Sequence, residues 1–264
     1  MMPGYHTKAL GPALDAGISQ QPRWLLLHGF TGSHLDWIDL WPRDFPALVM
    51  DLPGHGRSPD PKGDFAQEIA RLLAALPSSI ERIAGYSLGG RIALALMAQA
   101  PARFQELLIL SAHPGLEDAS ERAARCRQDQ IWIDLLRDQG IKRFASAWQR
   151  QALFRAQHLR APMAVAIQHR RRLSQRPEGL ARALACFGLG QMPPTWPAIP
   201  VYNGHLHWIS GAQDAKFCAL GEQVCQIRPA TTHDILPDCG HNPLIEAPDM
   251  LKERLETLCG HPGR

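Results

Sequence analysis

The chain is poor in the features that would commit it to several other classes of protein. No apolar run approaches the roughly 20 residues that a membrane-crossing helix needs; Leu107-Leu108-Ile109-Leu110 is typical of the runs present. The first residues lack the apolar core of a secretory leader, so a cytoplasmic location is expected. The cysteines at 126, 186, 218, 225, 239 and 259 form no C-x-x-C pair and no zinc-ligand spacing, which points to free thiols in a reducing compartment. The 12 histidines are scattered, and His205-x-His207 lies in a β-rich stretch without an acidic neighbour, so no metal is expected. No basic run is interleaved with aromatics, which argues against nucleic acid. Internal repeats and low-complexity segments are also missing. There remain 264 residues of ordinary globular composition, 45% hydrophobic, enough for one domain with an insertion.

Short apolar runs alternate with helical patterns. Residues 24–27, 47–51, 82–86, 107–111 and 205–211 read as strands, and 65–76, 87–99 and 248–259 as helices. Such alternation predicts an α/β fold with a mostly parallel central sheet flanked by helices. Residues 1–22 read as a short strand or arm. After His113-Pro114-Gly115 the alternation stops, and helices are expected over 120–139, 141–151, 161–172 and 177–187, the last opening on a proline suited to a first helical turn. We therefore expect a core of 1–115 and 198–264 with a helical cap inserted at 116–197. Charge follows this division. Residues 116–197 carry 13 Arg and one Lys against seven acids, net +7, while the whole chain is only +3. A basic segment in an acidic body suits a small anionic partner.

The chemistry centres on Gly85-Tyr86-Ser87-Leu88-Gly89. This is a G-x-S-x-G elbow with an apolar run before it and a helix-forming run after it, as such a turn requires. A serine presented this way needs a base, and the base an orienting carboxylate, in the chain order Ser, Asp/Glu, His. His241 in Cys239-Gly240-His241-Asn242-Pro243 is the candidate base. Asp214, just past the strand at 205–211, is the candidate orienter, ahead of Asp234 and Asp238. Backbone N–H groups of Leu88 and Phe30 are the candidate oxyanion hole, Phe30 lying in the loop that follows the first core strand. His28, at the end of that strand, reads as a loop brace. Asp51-Leu52-Pro53-Gly54-His55-Gly56-Arg57-Ser58 reads as a tight structural turn in which His55 and Arg57 are not catalytic. Arg91 lies one helical turn beyond Ser87 on the same face and can lean back toward it, offering a fork for a carboxylate.

These ordered motifs resemble the α/β-hydrolase superfamily. Within it, Gly85–Arg91, His113-Pro114-Gly115-Leu116 with Glu121-Arg122-Ala123-Ala124-Arg125, Asp129 and Trp132, Phe144…Trp148, Arg172-Leu173-Ser174-Gln175, Gly188…Gly190, Asp214-Ala215-Lys216-Phe217 and Gly240-His241-Asn242 resemble the 2-succinyl-6-hydroxy-2,4-cyclohexadiene-1-carboxylate synthases of menaquinone biosynthesis. The resemblance spans about residues 24–250. It implies a lyase that eliminates pyruvate from a tricarboxylate, 2-succinyl-5-enolpyruvyl-6-hydroxy-3-cyclohexene-1-carboxylate, with Ser87 as base and with neither cofactor nor metal. It also implies that Arg91, Arg125 and Arg172 hold the substrate with Tyr86, Trp148 and Phe154. Arg170, Arg171 and Arg176 compete with Arg172 for that role. No nucleic acid, membrane or obligate protein partner is expected. The triad residues by themselves fit a carboxylesterase, thioesterase or carbon–carbon bond hydrolase equally well, and a non-catalytic binding protein on the same fold is the reading from another class.

Overall fold

In the computed structural model, which describes residues 1–11 and 21–259, seven strands form one sheet in the order β1-β3-β2-β4-β5-β6-β7. They are β1 (Thr7–Leu10), β2 (Trp24–Leu27), β3 (Ala47–Met50), β4 (Arg82–Tyr86), β5 (Glu106–Leu110), β6 (His205–Gly211) and β7 (Thr232–Leu236). Only β1 runs antiparallel; it pairs with β3 at one edge. The others are parallel, from β3 through to β7. The mostly parallel sheet expected from the alternation therefore forms. Within the expected arm over residues 1–22, Thr7–Leu10 form β1, and residues 12–20 lie outside the described residues.

The central strands are short apolar runs because both faces are covered. Successive side chains point to opposite faces: Leu25, Leu27, Leu48, Met50 and Ile83 enter one core, and Trp24, Leu26, Ala47, Val49 and Ala84 enter the other. The helices are α1 (Leu35–Ile38), α2 (Phe65–Ala75), α3 (Leu88–Gln99), α4 (Ala119–Trp148), α5 (Arg155–Arg160), α6 (Pro162–Leu173), α7 (Pro177–Phe187), α8 (Ala215–Ile227), α9 (Pro243–Glu246) and α10 (Pro248–Cys259). Local chemistry sets their ends. Asp64 and Gln67 form a reciprocal capping box on α2. The Asp118 side chain accepts the Glu121 N–H at the head of α4, and proline opens α6 and α7.

Helices α4 to α7 all lie between β5 and β6 in the chain, and α4 packs along α7 and α6. Gly140, at φ 70° and ψ −177°, interrupts α4 where the sequence reading had placed a break between two helices. A conformation with positive φ strains any residue carrying a Cβ, so glycine is the residue that fits there. Four elements were not anticipated, the one-turn helix α1 among them. The strand β7 carries polar residues at an edge that is partly exposed, so it lacks the continuous apolar run of its neighbours. α5 is only six residues long, and α8 lies with β7 in the segment after β6 for which no element was expected.

Candidate active site

In an open parallel sheet, ligands sit beyond the carboxyl ends of the strands, where the strand order reverses. Here the chain passes from β2 outward to β3, then returns to place β4 on the other side of β2. Phe30 follows β2 and Ser87 follows β4, so both flank that reversal. Asp214 follows β6 and His241 follows β7 at the same end of the sheet.

Ser87 has φ 51° and ψ −106°, a strained backbone for a non-glycine residue. Close packing enforces it. A Cβ on Gly89 would lie 2.3 Å from the Leu27 carbonyl oxygen, and one on Gly85 would lie 2.5 Å from the Gly89 backbone. The glycines thus let α3 press against β2 and β4. The Ser87 N–H donates to the Leu110 carbonyl (2.9 Å), which ties the turn to the end of β5.

His241 Nε2 lies 3.2 Å from Ser87 Oγ, and its Nδ1 lies 2.6 Å from Asp214 Oδ2. A carboxylate only accepts, so Nδ1 carries the proton and Nε2 is left to accept from the serine hydroxyl. His241 is buried at 2% exposure. Its loop is held by Glu246, whose carboxylate accepts the Gly240 N–H (2.8 Å) and the Asn242 N–H (3.0 Å). Asp214 heads α8 without spending its side chain on a cap, which leaves the carboxylate for the imidazole. The competing acids are engaged elsewhere: Asp234 pairs with Arg254 and Asp238 with Arg160. Leu88 stands at the first position of α3, where a backbone N–H has no acceptor within its own helix. A Cβ on Gly29 would meet the Tyr86 ring at 2.7 Å and Ser87 Cβ at 3.7 Å, so the loop carrying Phe30 abuts Ser87.

A cavity of about 220 Å³ opens over Ser87 and His241. It gathers every sequence-predicted site residue except Asp214, which lies behind His241: Phe30, Leu88, Arg91, Arg125, Arg172, Tyr86, Trp148 and Phe154 all line it. Trp148 stacks on Phe144 at 5.3 Å and meets Phe30 and Trp132 edge-on, so the aromatic wall joins α4 to the loop after β2. Burial, followed by the Glu246 and Asp214 carboxylates, pushes the Tyr86 phenol well above its ordinary range, so it remains a hydroxyl. A larger groove of about 850 Å³ lies at the amino ends of β4, β5 and β6 and contains none of these residues.

The arginines divide cleanly. Arg91 Nη1 donates to the Phe187 carbonyl (2.6 Å); burial and then Arg125 lower its pKa to about 9, so it stays charged at neutral pH. Arg125 Nε donates to Asp129 Oδ1 (2.9 Å). Arg172 is buried, donates from Nε to Thr31 Oγ1 (2.9 Å) and from Nη2 to Gln168 (3.2 Å), and its pKa falls to about 10, chiefly by burial. Its competitors are elsewhere: Arg171 reaches Asp36, Arg176 pairs with Asp60, and Arg170 is exposed.

The histidines before the elbow are braces. His28 Nε2 accepts the Leu52 N–H (3.0 Å) while Nδ1 donates to the Gly29 carbonyl (2.7 Å). His55 Nε2 accepts the Thr31 N–H (3.2 Å), and Nδ1 donates to the Pro53 carbonyl (3.1 Å). Among the described residues, His6, His34 and Asp51 bring three potential metal-ligand atoms within 4.8 Å. Both Asp51 oxygens are already occupied, by the His34 N–H and ring on one side and the Arg57 N–H on the other. One premise of the sequence reading is corrected. His207 does have an acidic neighbour, since the pairing of β5 with β6 brings Glu106 to 3.2 Å from its Nε2. Sequence reasoning did not single out Ser111 or Gln168 on the cavity wall. Ser111 had been placed at the end of a strand, and position at a carboxyl end was the signal available.

A nucleophile elbow, an imidazole–carboxylate pair and a helical layer over the carboxyl edge of a parallel sheet define the α/β-hydrolase class. The alpha/beta hydrolase family model matches residues 24–254. A 2-succinyl-6-hydroxy-2,4-cyclohexadiene-1-carboxylate synthase of Enterobacter sp. (strain 638) is 33% identical over 85% of this chain and 87% of its own length. The synthase of Pectobacterium atrosepticum is 32% identical over 92% and 95%. Among solved structures, MenH from S. aureus superposes with a TM-score of 0.88 at 23% identity, covering 97% of this chain and 99% of its own. An enol-lactonase from Burkholderia xenovorans LB400 superposes with a TM-score of 0.77 at 21% identity over 98% of both chains. The chain belongs to the alpha/beta hydrolase family and, within it, to the family of the 2-succinyl-6-hydroxy-2,4-cyclohexadiene-1-carboxylate synthases.

Proposed function

We propose that the protein is a lyase that eliminates pyruvate from 2-succinyl-5-enolpyruvyl-6-hydroxy-3-cyclohexene-1-carboxylate to form the compound for which its relatives are named. One observation carries the reading: the Ser87–His241–Asp214 relay opens into a cavity that also holds Arg91, Arg125 and Arg172. A neutral ester gives such a site little use for three guanidinium groups, whereas a tricarboxylate does.

His241 Nε2 takes the proton of Ser87, and the serine oxygen removes the proton from ring C2, next to the succinyl carbonyl. The released pair forms C2=C3, the old C3=C4 pair moves to C4=C5, and the C5–O bond breaks. Enolpyruvate leaves, takes a proton from the His241 imidazolium and becomes pyruvate. Charge that builds on the succinyl carbonyl oxygen is met by the Phe30 and Leu88 N–H groups. Arg91, Arg125 and Arg172 hold carboxylates, and the aromatic wall of Trp148 and Phe154 excludes water. Nothing in this sequence of steps calls for a cofactor or metal, since the activating carbonyl belongs to the substrate. A cytoplasmic location fits the unpaired state of all six cysteines.

Ser87→Ala tests the serine. Pyruvate release should fall at least about a thousandfold while the affinity for product stays within about threefold. Retained pyruvate release in that variant contradicts the assignment.

A further inference from the structure

Ser111 and His113 stand on the cavity wall and have no part in the scheme above. Both belong to the turn that leaves β5, the strand whose last carbonyl anchors the Ser87 turn. Ser111 has φ 45°, and its N–H donates to the Ile209 carbonyl (2.9 Å). A non-glycine residue held at positive φ costs on the order of 1–2 kcal/mol and is found preferentially at functional sites. Thr31, Ser87 and Ser111 share this conformation at the carboxyl ends of three neighbouring strands, β2, β4 and β5.

The Ser111 side chain is fully buried, and its hydroxyl finds no hydrogen-bond partner among the described residues. A buried hydroxyl left unpaired is costly, and proteins avoid it unless something else fills the bond. His113 is 9% exposed, and its Nδ1 accepts the Gly115 N–H (3.0 Å). That bond places the remaining ring proton on Nε2, which donates to no acceptor among the described residues. Burial, and then the charges of Lys216, Arg91 and Arg125, lower the His113 pKa to about 4. The ring is therefore a neutral donor at neutral pH, set among cations.

We infer that Ser111 and His113 form a subsite for an uncharged hydroxyl group on the ligand. His113 Nε2–H donates to the hydroxyl oxygen, and the hydroxyl donates to Ser111 Oγ. The arginines, which select charge, leave this task to neutral groups. An alcohol both donates and accepts, and this pair offers one of each. Resting on the function proposed above, the group bound is the ring 6-hydroxyl, which lies between the C1 carboxylate and the C5 ether that breaks. The subsite would fix the ring face presented to Ser87.

The experiment compares 2-hydroxycyclohexane-1-carboxylate with cyclohexane-1-carboxylate as ligands of the intact protein, by titration in ligand-observed NMR. The hydroxy acid should bind the wild type at least about fivefold more tightly. Ser111→Ala and His113→Asn should each bring that ratio near one while leaving the affinity for the plain acid within about twofold. Asparagine retains an acceptor for the Gly115 N–H but loses the distal donor. His113→Gln, which extends an amide N–H toward the Nε2 position, should restore a preference of about threefold. Equal wild-type affinities, no binding of either acid, or a ratio unchanged by Ser111→Ala and His113→Asn overturns the subsite. Pyruvate release is read separately. A hydroxyl preference in a protein that releases no pyruvate would sink the lyase and spare the subsite; rapid release with no preference would do the reverse.

Discussion

At the scale of single residues, Arg91 is the position on which the choice of reaction turns. Its guanidinium reaches the Phe187 carbonyl with one nitrogen and lines the cavity beside Ser87. Arg91→Ala should lower kcat/KM at least about tenfold, worth about 1.4 kcal/mol. A loss below about threefold would mean that the side chain only ties α3 to the end of α7. Buried histidines give a second test. His55 titrates near 3 and His113 near 4, against 6.5 when free, because burial disfavours their charged forms. The unfolded chain takes up protons that the fold refuses, so this stability is complete above pH 6.5 and is lost as the pH falls through 6.5 toward 3. At pH 5 each contributes about 2 kcal/mol less than at neutral pH. Burial pushes the Asp36 and Asp129 carboxyls up, which acts in the opposite sense as the pH falls, so the variant is compared with the wild type. His55→Gln should lose less Tm between pH 7 and pH 5 than the wild type, as differential scanning calorimetry would show. Parallel curves would contradict the protonation argument.

At the scale of elements, the end of α6 and the turn after it are fastened by side chains to the loops that follow β2 and β3. Gln175 donates from Nε2 to the Gly32 carbonyl (2.8 Å) and accepts the Gly56 N–H (2.8 Å), while Arg172 donates to Thr31. These bonds hold the loop that carries Phe30. Gln175→Leu should therefore lower kcat about tenfold with less effect on KM, since a displaced oxyanion donor is felt mainly in the transition state. An increase in KM alone would place Gln175 in binding. Much of this layer was legible in the sequence. The elbow, the order Ser, Asp, His and the central strands are local patterns, and the break at Gly140 is written as a glycine. What was not legible depends on pairing between distant segments. β7 is a strand because β6 offers an edge, not because Thr232–Leu236 is apolar. Arg172 could not be chosen over Arg170, Arg171 and Arg176 until the rotation of α6 and the course of the turn after it were known. Ser111 gave no sign, since its interest lies in a backbone angle and an unpaired hydroxyl.

At the scale of the molecule, the basic character of segment 116–197 needs a finer reading than its net charge. Arg137 and Arg182 share Glu178, Arg176 takes Asp60, Arg160 takes Asp238 and Arg171 lies by Asp36. The Glu178 pairs lie within the segment and the others join it to segments outside it; the solvent-exposed ones are each worth little. The charge that matters is local: Arg91, Arg125 and Arg172 around one cavity at the strand-order reversal, with Asp129 as the acid among them. A fold shared with esterases and lactonases does not choose the reaction; in the function proposed above, that set of arginines over a serine base does. The most direct test of the account supplies purified protein with 2-succinyl-5-enolpyruvyl-6-hydroxy-3-cyclohexene-1-carboxylate and follows pyruvate, alongside a simple aryl ester. The account predicts rapid, stoichiometric pyruvate release and poor ester cleavage; fast ester turnover without pyruvate would contradict it.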